Sequence, residues 1–165
     1  MNMGFLSNLF GIRRHNKIAS EDLYPEDNFM VVNGMTGDKP IIGSFNIAYQ
    51  NFKKKAEYTW CLNITIYLEL KNLNEKGLPE YEESNIAYEL EDYLLSEIKK
   101  LTKAHFIGHL FNDTCLDIYV YINEPKKIHD FLQTQINKEG LTRGFGYEIK
   151  EDNAWDTVKS FLNTK

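Results

Sequence analysis

Two histidines, His105 and His109, stand four residues apart, a spacing at which imidazoles on one face of a helix can share a metal ion. The intervening Phe106, Ile107 and Gly108 read instead as strand. At about 3.3 Å per residue, a strand separates side chains four apart by roughly 13 Å, too far for one ion, so no metal site is expected. Cys61 and Cys115 lie 54 residues apart without a CxxC pair, which matches neither a zinc ligand set nor a disulfide framework. His105 or His109 approaching Cys115 across a hairpin would make a thiol and its base. The plainer reading is two reduced, inert thiols. Nucleophile elbows, phosphate-binding loops and dinucleotide fingerprints do not occur in the sequence, and no cofactor is implied.

Arg143-Gly144-Phe145-Gly146-Tyr147 matches the opening of an RNA-binding motif whose aromatics stack on bases. The match breaks at Glu148, and Ile149 shares the parity of Phe145 and Tyr147, so these aromatics are expected to face a core. A more suggestive group is Tyr67, Tyr119 and Tyr121 beside Asn63, Thr65 and Asp117, aromatics with polar tips that suit either a protein interface or a covered second layer.

The elements that must position these residues follow from hydrophobic periodicity. Tyr58 to Leu70 alternates strictly, with Tyr58, Trp60, Leu62, Ile64, Ile66, Leu68 and Leu70 on one side. Glu80 to Leu101 carries the helical stripe Ile86, Leu90, Leu94, Ile98 and Leu101, with Glu97 at the edge of that arc. Strands are expected at 104–111 and 115–122, a helix capped by Asn123 at 124–139, a strand at 142–150 and a short helix capped at Asp152 or Asn153 that buries Trp155, Val158, Phe161 and Leu162. Phe29 to Asn33 and Ile41 to Tyr49 around Gly34, Gly37, Asp38 and Pro40 read as a hairpin. The strand-helix-strand, strand-helix-strand order is that of an α+β, ferredoxin-like split βαβ sandwich: a four-stranded antiparallel sheet with two helices on one face. Right-handed crossovers place the Ala104 strand at an edge and the Tyr58 strand in the centre. The domain so read comprises a hairpin (27–50), a ferredoxin-like core (58–150) and a C-terminal helix (152–163), behind an appendage (1–26).

Charge narrows the partners. The chain has 165 residues and a net charge of −5. Six acids and no base fall within 80–92, and the remainder is nearly neutral. That run complements a helix dipole, and the acidic balance argues against a nucleic-acid groove. No apolar run is long enough to span a membrane. In the appendage, Phe5, Leu6, Leu9 and Phe10 fall at helical spacing before Arg13 and Arg14, so residues 1–14 could associate with a membrane surface or partner, or simply be a frayed end. A cytoplasmic location is expected.

Several short motifs carry a resemblance: Gly77-Leu78-Pro79, Glu91-Asp92, Phe106-Ile107-Gly108-His109, Asp117-Ile118-Tyr119-Val120-Tyr121 and Glu151-Asp152-Asn153-Ala154-Trp155. From about Asp27 to Leu162 the chain resembles a bacterial domain-of-unknown-function family, number 695. The resemblance implies a ferredoxin-like α+β domain and supplies no catalytic residues. In arrangement the chain is also similar to the ribonuclease E inhibitor protein B type of regulator, which implies regulation by protein-protein contact. The expectation is a non-enzymatic binding or regulatory module with a protein partner or a second copy, using Tyr67, Tyr119, Tyr121, Asn63, Asp117 and His109, or the acidic helix. The alternative is a small-molecule-binding domain or hydrolase with a pocket between sheet and hairpin, using Asp117, His109, Glu97 or Cys115. RNA binding ranks third.

Overall fold

Alternation of apolar and polar side chains produces the strand from which the sheet is built. The computed structural model describes residues 23–163, so the amphipathic segment within residues 1–14, and most of the 1–26 appendage, lie outside the described residues. The strands are β1 (Phe29–Thr36), β2 (Lys39–Asn46), β3 (Trp60–Tyr67), β4 (Ala104–Asn112), β5 (Cys115–Ile122) and β6 (Phe145–Glu151). Helices α1 (Tyr81–Leu101), α2 (Pro125–Gln135) and the short α3 (Lys159–Leu162) complete the fold. The protein is α+β, with one antiparallel sheet of order β1-β2-β4-β5-β3-β6.

The expected four-stranded sheet is therefore a six-stranded one. β3 lies between β5 and β6 as its connections require, but β4 is interior, because β2 pairs along its free side. The cause is backbone proximity. A Cβ on Gly43 would collide with the His109 carbonyl, and one on Gly108 with the Ser44 carbonyl, so two glycines let β2 and β4 approach where side chains could not. The hairpin extends the sheet in its own plane and does not fold over a face. The space expected between sheet and hairpin is not formed.

The helix-side core joins Leu62, Ile64 and Ile66 of β3 and Leu116, Ile118 and Val120 of β5 to Leu90, Leu94 and Ile98 of α1 and Ile128 and Leu132 of α2. Phe145 is buried in this core and Tyr147 packs against it, as their parity with Ile149 requires. On the opposite face a second cluster holds Phe45, Tyr49, Tyr58, Cys61, Ile107, Leu110 and Tyr121 under Trp155, Val158 and Leu162. Asp152 caps this covering segment: Oδ1 accepts from the Asp156 N–H and Oδ2 from the Thr157 N–H, both at 2.9 Å. Trp155 Nε1 donates to the Tyr58 carbonyl at 2.8 Å, pinning the segment across the sheet.

Local details differ from expectation where capping and turn chemistry decide. Helix α2 ends at Gln135, and Asn123 accepts from the Thr102 hydroxyl at 3.2 Å instead of capping it. Asp113 and Thr114 both take left-handed backbone angles (φ 40° and 73°), the geometry of a two-residue hairpin turn. Within β4 a bulge leaves Ile107 unpaired between Phe106 and Gly108, shifting the register by one.

Candidate functional site

Helix diameter and strand spacing decide which part of the sheet stays open. A helix about 10 Å across covers roughly two strands spaced about 4.8 Å apart, so two helices cover about four strands. On the helix side, β1 and β2 are left bare among the described residues. Phe29, Val31 and Met35 of β1 and Ile42 of β2 keep 46%, 62%, 61% and 38% of their surface exposed. Between this bare surface and α1 runs a trough of about 390 Å³ lined by Val31, Ile42, Leu78, Pro79, Tyr88 and Phe111. Towards the other end of α1, Phe106 meets the Phe29 ring at 6.0 Å and borders a depression with Asp92, Leu95 and Lys99.

The lining also includes the polar Asn74 and Ser84, and Tyr88 connects it to a polar pair on the same side of the sheet. His109 Nδ1 lies 2.9 and 2.8 Å from the two carboxylate oxygens of Glu91, and Tyr88 stacks on the imidazole at 5.0 Å. A carboxylate only accepts, so Nδ1 carries the proton and donates. In the neutral tautomer this leaves Nε2 as an acceptor. Ser44 is the register partner of His109 on β2.

Glu91 and Glu83 were hidden in the acidic run. Glu83, Ala87, Glu91, Leu94 and Ile98 share one buried stripe of α1, while Glu80, Glu82, Glu89 and Asp92 are exposed. The 83-87-91 spacing was the available signal. Glu97, singled out by its place on the helical wheel, is only half-buried and pairs with Lys100 at 2.5 Å.

Glu83 is fully buried and anchors the start of β6. Its oxygens accept from Arg143 Nε and Nη2 at 2.7 and 2.6 Å, from the Glu69 N–H at 2.9 Å and from Asn72 Nδ2 at 2.8 Å. The Arg143 guanidinium, with these other donors, outweighs burial and holds the Glu83 carboxyl down to about 2. The arginine of the RNA-binding-like motif is thus committed to an internal ion pair.

The tyrosine face divides into an open and a closed end. At the open end Tyr67 is 52% exposed and lies over Gly146, where a Cβ would come within 2.6 Å of its hydroxyl. Beside it Thr65 Oγ1 donates to Asp117 Oδ1 at 2.7 Å, and Asn63 Nδ2 donates to the Ile118 carbonyl at 3.4 Å. Burial raises the Asp117 carboxyl despite that hydrogen bond. Tyr119 sits at the border between Phe45 and Phe161, at 5.9 and 6.1 Å, and burial pushes its hydroxyl up to about 12. Tyr121 lies at the closed end, fully buried and stacked on Trp155 at 4.0 Å, with its hydroxyl donating to Asp152 at 2.7 Å.

Of the six residues singled out from the sequence, Tyr67, Asn63 and Asp117 come together, Tyr119 borders them, Tyr121 is sealed beneath Trp155, and His109 occupies the other face. The hydrolase set separates too: Asp117 and Cys115 share the second face, whereas His109 faces the helices. Cys61 and Cys115 are both free, six positions apart along the β3–β5 ladder, and burial pushes the Cys61 thiol up to about 11.

His105 is enclosed by the rings of Tyr24, Tyr49, Phe52 and Tyr58 at 4.9, 5.5, 5.0 and 4.1 Å. Its Nδ1 meets the Tyr49 hydroxyl at 3.1 Å, and its buried Nε2 makes no hydrogen bond. Desolvation pushes its pKa down to about 4, so the ring is neutral at pH 7. Among the described residues no group of three or more His, Cys, Asp or Glu could hold a metal ion, and no helix is long and apolar enough to cross a membrane.

The profile of a family of unknown function, DUF695, matches residues 27–163. Neither a curated protein nor a solved structure matches the chain.

Proposed function

The chain belongs to the DUF695 family, and we propose that it is a non-enzymatic binding or regulatory module whose partner enters the trough between α1 and the β1–β2 hairpin. One observation carries the reading: among the described residues, two of six strands lack a cover on the helix side, and apolar side chains on them are 38–62% exposed. Exposed apolar surface beside a half-buried polar centre is characteristic of a recognition groove. The open width, about 10 Å for two strands, suits one helix. The exposed charge of α1 and its cap is acidic at the amino end (Glu80, Glu82) and basic at the carboxyl end (Lys99, Lys100). A helix with acids in its amino half and bases in its carboxyl half, laid antiparallel to α1, meets complementary charge at both ends.

Two broader analogies accompany this reading. The order and pairing of β3, α1, β4, β5, α2 and β6 support viewing that part as a ferredoxin-like unit extended by the hairpin, and the likeness in arrangement to the ribonuclease E inhibitor protein B type of regulator favours protein-protein regulation in a bacterial cytoplasm.

The test is fluorescence anisotropy with a labelled, Leu-striped helical peptide carrying Glu in its amino half and Lys in its carboxyl half. Saturable binding is expected, weakened at least about tenfold by Ile42→Asp and by Tyr88→Asp, since each places a charge in an apolar contact. Absence of binding, or binding indifferent to both substitutions, overturns the proposal.

A further inference from the structure

The two outer strands of the sheet are defended differently. β6 presents Glu148, Lys150 and Glu151, exposed charges that discourage pairing with another strand. β1 presents none: residues 28–37, Asn-Phe-Met-Val-Val-Asn-Gly-Met-Thr-Gly, are uncharged and contain no proline. An eight-residue edge strand with neither charge nor proline is a ready template for another strand.

We propose that β1 pairs antiparallel with β1 of a second copy of this chain, joining two six-stranded sheets edge to edge. Three observations select the second copy. First, among the described residues no strand pairs with the outer edge of β1. The Ile47 N–H donates to the Asn28 carbonyl at 2.9 Å, and in an antiparallel ladder bonded positions alternate, so the even residues of β1 bond to β2. The N–H and C=O groups of Val31, Asn33 and Met35 therefore point outwards. Second, a two-fold axis through Asn33 keeps every side chain on its own face and sets Val31 opposite Met35 twice. These are the two most exposed apolar residues of the edge, at 62% and 61%. Third, the same register opposes no like charges within the paired strands, because Phe29–Thr36 carries none. The interface is self-complementary, as a two-fold dimer requires.

The pairing uses the edge of β1, whereas the proposed trough uses the face of the hairpin, so each can fail without the other. Sedimentation equilibrium of the full chain is expected to give twice the 19.3 kDa monomer mass. Asn33→Pro removes an outward N–H without touching the β2 ladder, and Val31→Lys with Met35→Lys charges the edge at exposed positions. Each is expected to raise the dimer dissociation constant at least about tenfold, with circular dichroism unchanged and the Leu-striped peptide still bound by Asn33→Pro. Asn33→Cys is expected to form an intermolecular disulfide under mild oxidation, since opposed, bonded positions lie about 5.5 Å apart at Cα. A wild-type chain that stays at 19.3 kDa, or a dimer that survives both edge variants and does not cross-link through Asn33→Cys, overturns the proposal. A monomer that takes up a foreign β-strand peptide along β1 overturns it in favour of strand addition by another protein.

Discussion

His105 and His109 leave one strand four residues apart, and they occupy opposite environments. In a regular strand both would face the same side, because four is an even number of residues. The bulge at Ile107 adds one residue and reverses the parity, sending His105 into the aromatic cage under Trp155 and His109 to the helix side against Glu91 and Tyr88. His105 is surrounded by rings, with one nitrogen bound to Tyr49 and the other to nothing. His109 has a carboxylate against Nδ1 and an aromatic ring across its face. The lesson concerns cover. The second face is closed at this end by residues 152–162, and its histidine serves packing. The helix side is closed by α1 only as far as β4, and its histidine keeps a polar role next to open space.

Deleting Ile107 should break the comparison most severely. Straightening β4 would reverse every residue on one side of the bulge, including either buried Ala104 and His105 or buried Leu110 and Phe111. Loss of cooperative unfolding, followed by circular dichroism in urea, is the expected outcome, an effect comparable to the whole stability of about 5–15 kcal/mol. A cooperative transition at unchanged midpoint would show that the bulge does not set the parity.

Acid should act on the His105 side more gently. The folded-state pKa of His105 is pushed down to about 4 from 6.5, so the unfolded chain binds its proton first. Stability is then full above pH 6.5 and is lost as pH falls from there towards 4, by about 3 kcal/mol in all. In His105→Phe this part of the acid slope should vanish, measured as denaturation midpoint against pH. A slope unchanged in that variant would locate the titration elsewhere. The smallest effect is expected at Glu91→Gln, which keeps an acceptor for Nδ1 but removes the charge. It should cost about 1 kcal/mol, and a loss above about 3 kcal/mol would mark Glu91 and His109 as a buried ion pair on which the fold depends.

Much of this architecture was legible because side-chain periodicity reports faces. The alternation of Trp60 to Tyr67, the parity of Phe145 with Ile149 and the burial of Trp155, Val158 and Leu162 all appear in the pattern. The position of the hairpin does not, since β2 meets β4 through Gly43 and Gly108, residues that mark the contact by lacking a side chain. The cover over Tyr121 was unreadable for a related reason: a pattern states that Trp155 is buried, not what it is buried against. Glu83 and Glu91 were obscured because charge was read by density along α1 instead of by its stripe. Within the candidate site, the sequence brought forward His109 but did not pair it with Glu91 or assemble the trough walls, which come from β1, β2, the loop at 78–79, α1 and β4.

The Trp155 clamp also has a consequence for the order in which the protein is made. Its indole donates to Tyr58, 97 residues earlier, and the segment that carries it lies downstream of every strand it covers. On the ribosome β1 to β5 can pair before the edge strand β6 emerges, and the second face stays wet until Trp155 follows. During that interval His105 and Tyr121 remain accessible to solvent and to chaperones that recognise exposed aromatic surface.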